Sequence, residues 1–332
     1  MSDTSARLQD TVLSTRVRLA RNIDSLPFPV RLNALQKNEL NKRLCEILTG
    51  KDSSLHTIHM NSLYPYEAIS LAERHLISPE FASNSEGRVL LLRDDHKVSI
   101  MLCENDHIKI QGFADGLEPP EAFSEAEKYD KILNEALDFA FDPKLGYLNQ
   151  NPKDIGTGMK ASVLMHLPAL SRTGSMEKLS ATAAKLGFII RGSYGDGASV
   201  KGDIFRITNS VTMGISEQQA LENLKSITLQ IATKERSAAE KLVNEINIRD
   251  RINRSAGLIR NAVLLSCDEM MELLSWVRLG ALYGVIEADT QLISRLFVTM
   301  QPAMINVLAG QKLPEASRDE IRAKTVKQLF KG

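Results

Sequence analysis

Over 32–48 apolar residues recur at helical spacing among charges, and 67–75 repeats the pattern, so the first third of the chain reads as helical. The texture changes after Gly87. RVLLLRDD, a polar turn at 94–96, KVSIMLCEN and DHIKIQGF show partial alternation, and the spacing predicts an antiparallel meander over 88–113. Helical patterning returns over 121–141, followed by a loop rich in Asn, Pro, Lys and Gly over 146–158. The segment carrying Ser162, Met165 and Leu167 reads as another helix, and GFIIRG and DIFRITN as a strand pair joined by the glycine-bearing loop 192–202. Ser216, with Gln219 three residues on, has the capping-box pattern. It opens a long amphipathic helix with Leu221, Leu224, Ile231, Ala238, Leu242 and Ile246 near one face. The remaining third reads as all helical, with Pro302 and Pro314 as breakers, and there is no repeat or low-complexity tract.

These patterns predict an α+β chain. A helical N-terminal portion (1–75) precedes an α+β core (76–240) built on a central antiparallel sheet flanked by helices, and an all-helical C-terminal domain occupies 241–332. Composition narrows the function classes. At 332 residues, 43% apolar and 25% charged, the chain reads as soluble and globular rather than disordered. Its 41 basic residues balance 41 acidic ones, which gives no reason to expect nucleic acid or an anionic membrane as partner, and any phosphate site must be local. Cys45, Cys103 and Cys267 are scattered without metal or disulfide spacing, which fits a reducing cytoplasm. The N-terminus is polar, and no run approaches the roughly 18 apolar residues of a membrane span; the expectation is an untargeted cytoplasmic protein.

Within STRVRLAR, Arg16 and Arg18 have the alternation that puts both guanidinium groups on one side of a strand, where they could grip a polyphosphate through paired hydrogen bonds. A solvated basic strand edge has the same pattern. In GTGMK, two glycines would let the backbone approach an anion, and a following helix would offer it free N–H groups; an ordinary loop-to-helix turn reads identically. In SRDEIRAK, Asp319 and Arg322 have the spacing of a solvated helix pair. Leu273, Trp276, Val277 and Ala281 form a stripe that suits a core or a dimer face. His56, His96 and His166 stand singly without ligand spacing, and no metal-binding residue is assigned.

STRVRLARN, AERHLISP, ENDHIKIQ, GYLNQNPKDIGTGMKASVLMHLPAL and IIRGSYGDG follow one another as in the motif series of the phosphagen kinases, and the series most resembles the bacterial protein-arginine kinase branch. The resemblance spans about residues 12–327. It implies the guanidino-kinase catalytic fold and Mg2+-dependent transfer of the ATP γ-phosphoryl group to arginine side chains, marking proteins for quality control and degradation. Arg16, Arg18, His75, Lys109, Lys160 and Arg191 fall at nucleotide-binding positions, with Lys109 and Lys160 in place of family arginines. Ser14, Thr15, Val17, Ala161, Ser162, Val163, Leu164, Gly192, Ser193, Tyr194 and Gly195 complete the implied pocket.

On the guanidino side the chain departs from the family pattern. The motif NEEDH reads Cys103, Glu104, Asn105, Asp106, His107 here, so Asn105 stands where the substrate-gripping glutamate is expected. Glu104 and Asp106 flank it, and in a regular strand they would point away from the face of Asn105. Asn151 replaces a reactive cysteine, and Asp196 aligns with the second substrate glutamate. Two implied readings stay open: a working kinase with Asp196 as the remaining base, or an impaired pseudokinase acting as a phosphoarginine- or nucleotide-binding adaptor. Arg318, Asp319, Arg322 and Ala323 resemble the RDxxRA motif by which protein-arginine kinases bind phosphoarginine, which implies an arginine on the phosphate oxygens and Asp319 on the guanidinium. The implied partners are proteins with exposed arginines, an activator protein, a Clp-type unfoldase and a second copy in a homodimer.

Overall fold

The computed structural model describes residues 10–194 and 200–330. Its contacts divide the chain into a sheet unit, Ser14–Val163 with Thr208–Ser226, and a helix-rich unit, Met1–Leu13, Leu164–Ile207 and Ile227–Gly332.

The sheet unit grows from strand β1 (Val12–Arg21), in which buried Thr15, Val17 and Leu19 alternate with half-buried Arg16 and Arg18. Period-two alternation therefore puts both guanidinium stems on one face. Helix α1 (Ala34–Lys51) starts in a reciprocal capping box between Asn33 and Gln36 and buries Leu40, Leu44 and Leu48 at four-residue spacing. Strand β2 (Leu55–His59) was hidden in the sequence because only Leu55 is buried and nothing alternates. Helices α2 (Pro65–Glu73) and α3 (Pro79–Ser83) lead to the expected meander of β3 (Val89–Arg93), β4 (Val98–Leu102) and β5 (Ile108–Asp115). All the pairs β2–β3, β3–β4, β4–β5 and β5–β1 are antiparallel. Helix α4 (Pro119–Ala136) lies so close to β5 that a Cβ at Gly112 would stand 2.1 Å from the Ala122 carbonyl oxygen. That position admits only glycine.

Helix α4 ends five residues short of the sequence expectation. Residues beyond Leu137 pair instead with the chain after β1, Ala140 donating to the Asn22 carbonyl and Asp24 to that of Asp138. A short hairpin, β6 (Phe141–Asp142) and β7 (Gly146–Tyr147), precedes β8 (Met159–His166), whose first half continues the order β2-β3-β4-β5-β1-β8. Strand β8 corrects the helix expected around Ser162, Met165 and Leu167. All its residues but Lys160 are buried, so it is apolar on both faces and carries no period that separates strand from helix. GTGMK therefore opens a strand, no helix N-terminus follows it, and a Cβ at Gly156 (φ 113°) would meet the Thr212 carbonyl oxygen at 2.1 Å.

The helix-rich unit carries the second half of β8, then α5 (Pro168–Arg172), α6 (Met176–Lys185), β9 (Phe188–Gly192) and β10 (Ile204–Asn209), in the strand order β8-β10-β9. Helix α7 (Glu217–Leu242) begins at Ser216, whose Oγ accepts the Gln219 N–H at 3.2 Å. The Gln219 side chain turns forward to Asn223, so the cap is one-sided. Ile246, expected on the face of this helix, is 83% exposed and starts the next one. Helices α8 (Ile246–Asn261), α9 (Cys267–Leu282), α10 (Thr290–Thr299), α11 (Pro302–Ala309) and α12 (Glu315–Val326) follow. Pro302 is at the first position of α11 and Pro314 caps α12, where a missing N–H costs nothing. Leu273, Trp276 and Val277 are buried inside this unit, which makes their stripe a core stripe. No single helix among the described residues is long and apolar enough to cross a membrane.

Candidate functional site

In the sheet unit the loop before β8 makes a 3-10 turn, Pro152–Asp154, capped by Asn151. The Asn151 amide oxygen accepts the Lys153 N–H at 3.1 Å, and the Thr212 hydroxyl donates to the carbonyls of Lys153 (3.1 Å) and Ile155 (2.7 Å). This frame holds a buried carboxylate, Asp154. Its Oδ2 lies 3.5 Å from Arg18 Nη2 and its Oδ1 3.3 Å from Lys160 Nζ. Lys160 also donates to the carbonyls of Lys153 (3.1 Å) and Ser210 (3.4 Å). Two cations share one acid, so a net positive charge remains, and the cation side chains keep 22% and 17% of their surface in solvent. Burial pulls the Lys160 ammonium below the ordinary lysine value despite Asp154, with Arg18 and Lys153 acting in the same direction. Arg16 stands on the same face of β1 as Arg18. A half-exposed cluster of guanidinium and ammonium groups suits a phosphate-bearing anion.

Residues 103–107 are a hairpin loop between β4 and β5, closed by the Cys103 N–H to the His107 carbonyl at 2.9 Å, with Cys103 at φ 59°. This corrects the regular strand assumed from the sequence. Glu104 and Asp106 do not diverge: both reach Lys109 Nζ, at 2.8 and 3.9 Å. Asn105, between them, is exposed. Ser78 Oγ donates to Glu104 at 2.7 Å, while Asp106 Oδ1 accepts from Asn22 (2.8 Å) and from the Gln150 N–H (2.9 Å). Burial would raise the Glu104 carboxyl, but Lys109, Ser78 and Arg18 outweigh it and hold it below the usual value. Lys109 is buried among these acids rather than half-exposed like Arg18 and Lys160. Burial pushes the neighbouring Cys103 thiol up to about 12.

The remaining sequence-named positions are spread over both units. Thr15 Oγ1 donates to the Gly116 carbonyl at 2.6 Å and accepts the Glu118 N–H at 3.2 Å, fixing the start of β1 beside half-buried Ser14. Val17, Ala161, Ser162 and Val163 are enclosed in the sheet, and Ser162 Oγ lies 3.4 Å from the Arg16 carbonyl. His75 is half-buried with φ 61°. In the helix-rich unit Leu164 belongs to the core, Arg191 is exposed at β9, and Gly192, Ser193 and Tyr194 are half-buried. Gly195 and Asp196 lie outside the described residues.

In α12, Arg322 is 1% exposed. It donates to the carbonyls of Met300 (2.9 Å) and Leu265 (2.7 Å) and to Asp319 at 2.5 Å. Arg322 thus ties three segments together and aims Asp319. Ala323 is buried beside it, whereas Arg318 is half-buried and donates to the Leu313 carbonyl at 2.6 Å.

Two features escaped the sequence reading. Asp154 was visible only as one acid in a Lys- and Gly-containing loop. His166, given no role, is the hub of a buried chain: Arg278 donates to its Nδ1 (2.9 Å), its Nε2 faces Ser275 Oγ (2.9 Å), and Ser275 donates to Asp203 (2.6 Å). Arg172 closes that chain on Asp203 at 2.7 Å. Burial, with Arg278 and Arg172, holds His166 well below the ordinary histidine value, so it is neutral. No spacing rule links residues this far apart.

Residues 36–238 match the family described as ATP:guanido phosphotransferase, C-terminal catalytic domain, and residues 245–332 match the protein-arginine kinase McsB C-terminal domain. The protein-arginine kinase of Halothermothrix orenii is 41% identical over 323 residues, covering 96% of this chain and 93% of that protein. That of Caldanaerobacter subterraneus subsp. tengcongensis is 38% identical over 324 residues, covering 96% of each. Among solved structures, lombricine kinase superposes with a TM-score of 0.59 at 21% identity, over 69% of this chain and 67% of that one. The duplicated taurocyamine kinase of Schistosoma mansoni with bound transition-state-analogue components gives 0.64 at 19% identity, over 76% and 38%. These two likenesses establish the fold.

Proposed function

The chain belongs to the ATP:guanido phosphotransferase family, on its protein-arginine kinase branch, and from that membership we propose that it transfers the γ-phosphoryl group of ATP to arginine side chains of proteins. The observation that carries this reading is the half-exposed cluster of Arg18 and Lys160 on Asp154, with Arg16 on the same strand face.

Phosphoryl transfer leaves the protein little covalent work, so rate comes from placing the two reactants in line and from positive charge around the migrating group. Arg16, Arg18 and Lys160 supply that charge to the phosphate oxygens. Mg2+, carried by the nucleotide phosphates, would add its own charge there. As the bond from the γ-phosphorus to the ADP oxygen breaks, a new P–N bond forms to the guanidino nitrogen. The proton leaving that nitrogen must go to a carboxylate. Asp196 is the proposed acceptor, on the resemblance alone. Asn105, exposed on its hairpin, would orient the guanidinium through its amide oxygen, and Glu104 would act behind it through Lys109 rather than as the base. Asn151 serves as a turn cap.

Arg318 and Asp319 are the proposed phosphoarginine contacts, with Arg322 holding Asp319 in place. A role in marking proteins for degradation, an activator protein, a Clp-type unfoldase, a homodimer and a cytoplasmic setting extend the same reading. The test is incubation with ATP, Mg2+ and an unfolded protein, followed by mass spectrometry under conditions that spare acid-labile phosphoarginine. Phosphoarginine on the substrate is expected; its absence, where an active relative labels the same substrate, would reject the kinase reading.

A further inference from the structure

We propose that Asp154 is a positioning residue that presents Arg18 and Lys160 as a preformed pair of phosphate-binding cations. The inference rests on the nucleotide reading above and assigns a task to a residue that the family motifs leave without one. A carboxylate next to a polyphosphate would repel it. Here both carboxylate oxygens are turned to cations, Oδ2 to Arg18 at 3.5 Å and Oδ1 to Lys160 at 3.3 Å, and the acid itself is buried behind them. The ligand would therefore meet the outer donors of the two cations, not the acid.

The acid is itself held firmly. Asn151 caps its turn, the Asp154 N–H reaches the Asn151 carbonyl at 2.9 Å, and Thr212 bonds the carbonyls on either side. Long Arg and Lys side chains lose rotamer freedom when they bind an anion, and a fixed acid removes part of that cost before the ligand arrives. Charge is the second consequence. The charged groups acting on the Lys160 ammonium are Asp154, Arg18 and Lys153, with the Lys153 and Ser210 carbonyls as its hydrogen-bond acceptors. Burial and the two cations push it toward the neutral amine, and Asp154 is the group that opposes them. Removing the acid therefore loosens the pair and drops the pH at which Lys160 loses its proton.

The test is calorimetric titration of MgATP into the full-length protein from about pH 7 to about pH 10. Wild type is expected to bind with an affinity that falls along an alkaline limb set by Lys160. Asp154→Asn keeps the shape and removes the charge; its limb should move to lower pH by about one unit, the scale of a lost neighbouring charge. A residue that only stabilised the turn would change melting temperature and leave the limb in place. Lys160→Arg, which cannot titrate in this range, should abolish the limb, and this variant tests the idea even if Asp154→Asn folds poorly. Coincident limbs in wild type and Asp154→Asn, or an unchanged limb in Lys160→Arg, would overturn the inference while leaving the nucleotide site standing. A wild type that binds no MgATP at any pH would overturn the nucleotide reading itself, and this inference with it.

Discussion

Two clusters in the sheet unit are chemical inverses of one another. Around Asp154, two cations share one acid and keep part of their surface in water; around Lys109, two acids share one cation and all three side chains are buried. Both are built from basic side chains and carboxylates, and both Lys109 and Lys160 occupy positions that sequence assigned to nucleotide. Exposure and stoichiometry separate them. The first cluster has positive charge left to offer a ligand, whereas in the second the single cation is outnumbered by its acids, so no positive charge is left over, and the pairing holds the 103–107 hairpin against β5. A lysine at a family position is thus no guarantee of a phosphate contact, because its neighbours decide whether its charge reaches solvent.

The sharpest way to break this contrast is Lys109→Met. It strands Glu104 and Asp106 as buried acids without their cation, and a destabilisation of about 3–5 kcal/mol by chemical denaturation is expected. A loss below about 1 kcal/mol, the scale of an exposed pair, would erase the distinction between the clusters.

Glu235 extends the comparison to a buried acid held by backbone donors instead of a cation. In the helix-rich unit it accepts the N–H groups of Ala169 (2.7 Å) and Leu170 (2.9 Å), and burial raises its carboxyl to about 7. Glu104, paired with Lys109, goes the other way. Because the folded value of Glu235 exceeds the unfolded one, its contribution is complete at acid pH below the unfolded value. It is lost as pH rises toward about 7. The expected loss is at most roughly 3 kcal/mol, and Glu235→Gln should flatten that part of the stability–pH curve.

Arg18→Met should lower kcat/KM for ATP about 100-fold, the effect of deleting one charge-stabilising donor, with the melting temperature moved little. Equal losses of activity and stability would place Arg18 with the structural cluster instead. Asn151→Ala is the mildest change: removing the turn cap should cost about 1 kcal/mol by denaturant titration.

Much of this was legible in the sequence where burial is one-sided. β1 alternates cleanly, the polar residues 94–96 mark the turn between β3 and β4, and α1 repeats Leu40, Leu44, Leu48. Strand β8 was not, because a strand buried on both faces loses the alternation that identifies it. The pocket cations could be named from motifs, but their fates could not. Whether Lys109 faces two acids depends on the 103–107 hairpin, and a hairpin turning through Cys103 at φ 59° leaves no signal in a run read as strand. Asp154 acquires its partners from β1 and β8, separated from it in sequence on both sides.

Whether the half-exposed cluster around Asp154 holds triphosphate is tested most directly by titrating MgATP into wild type and Arg18→Met at neutral pH and reading the dissociation constants. Saturable binding by wild type, weakened at least about tenfold in the variant, is the predicted result when one charge-assisted hydrogen bond to a phosphate oxygen is deleted. Equal affinity in the two proteins would contradict it and send the search for the nucleotide elsewhere on the molecule.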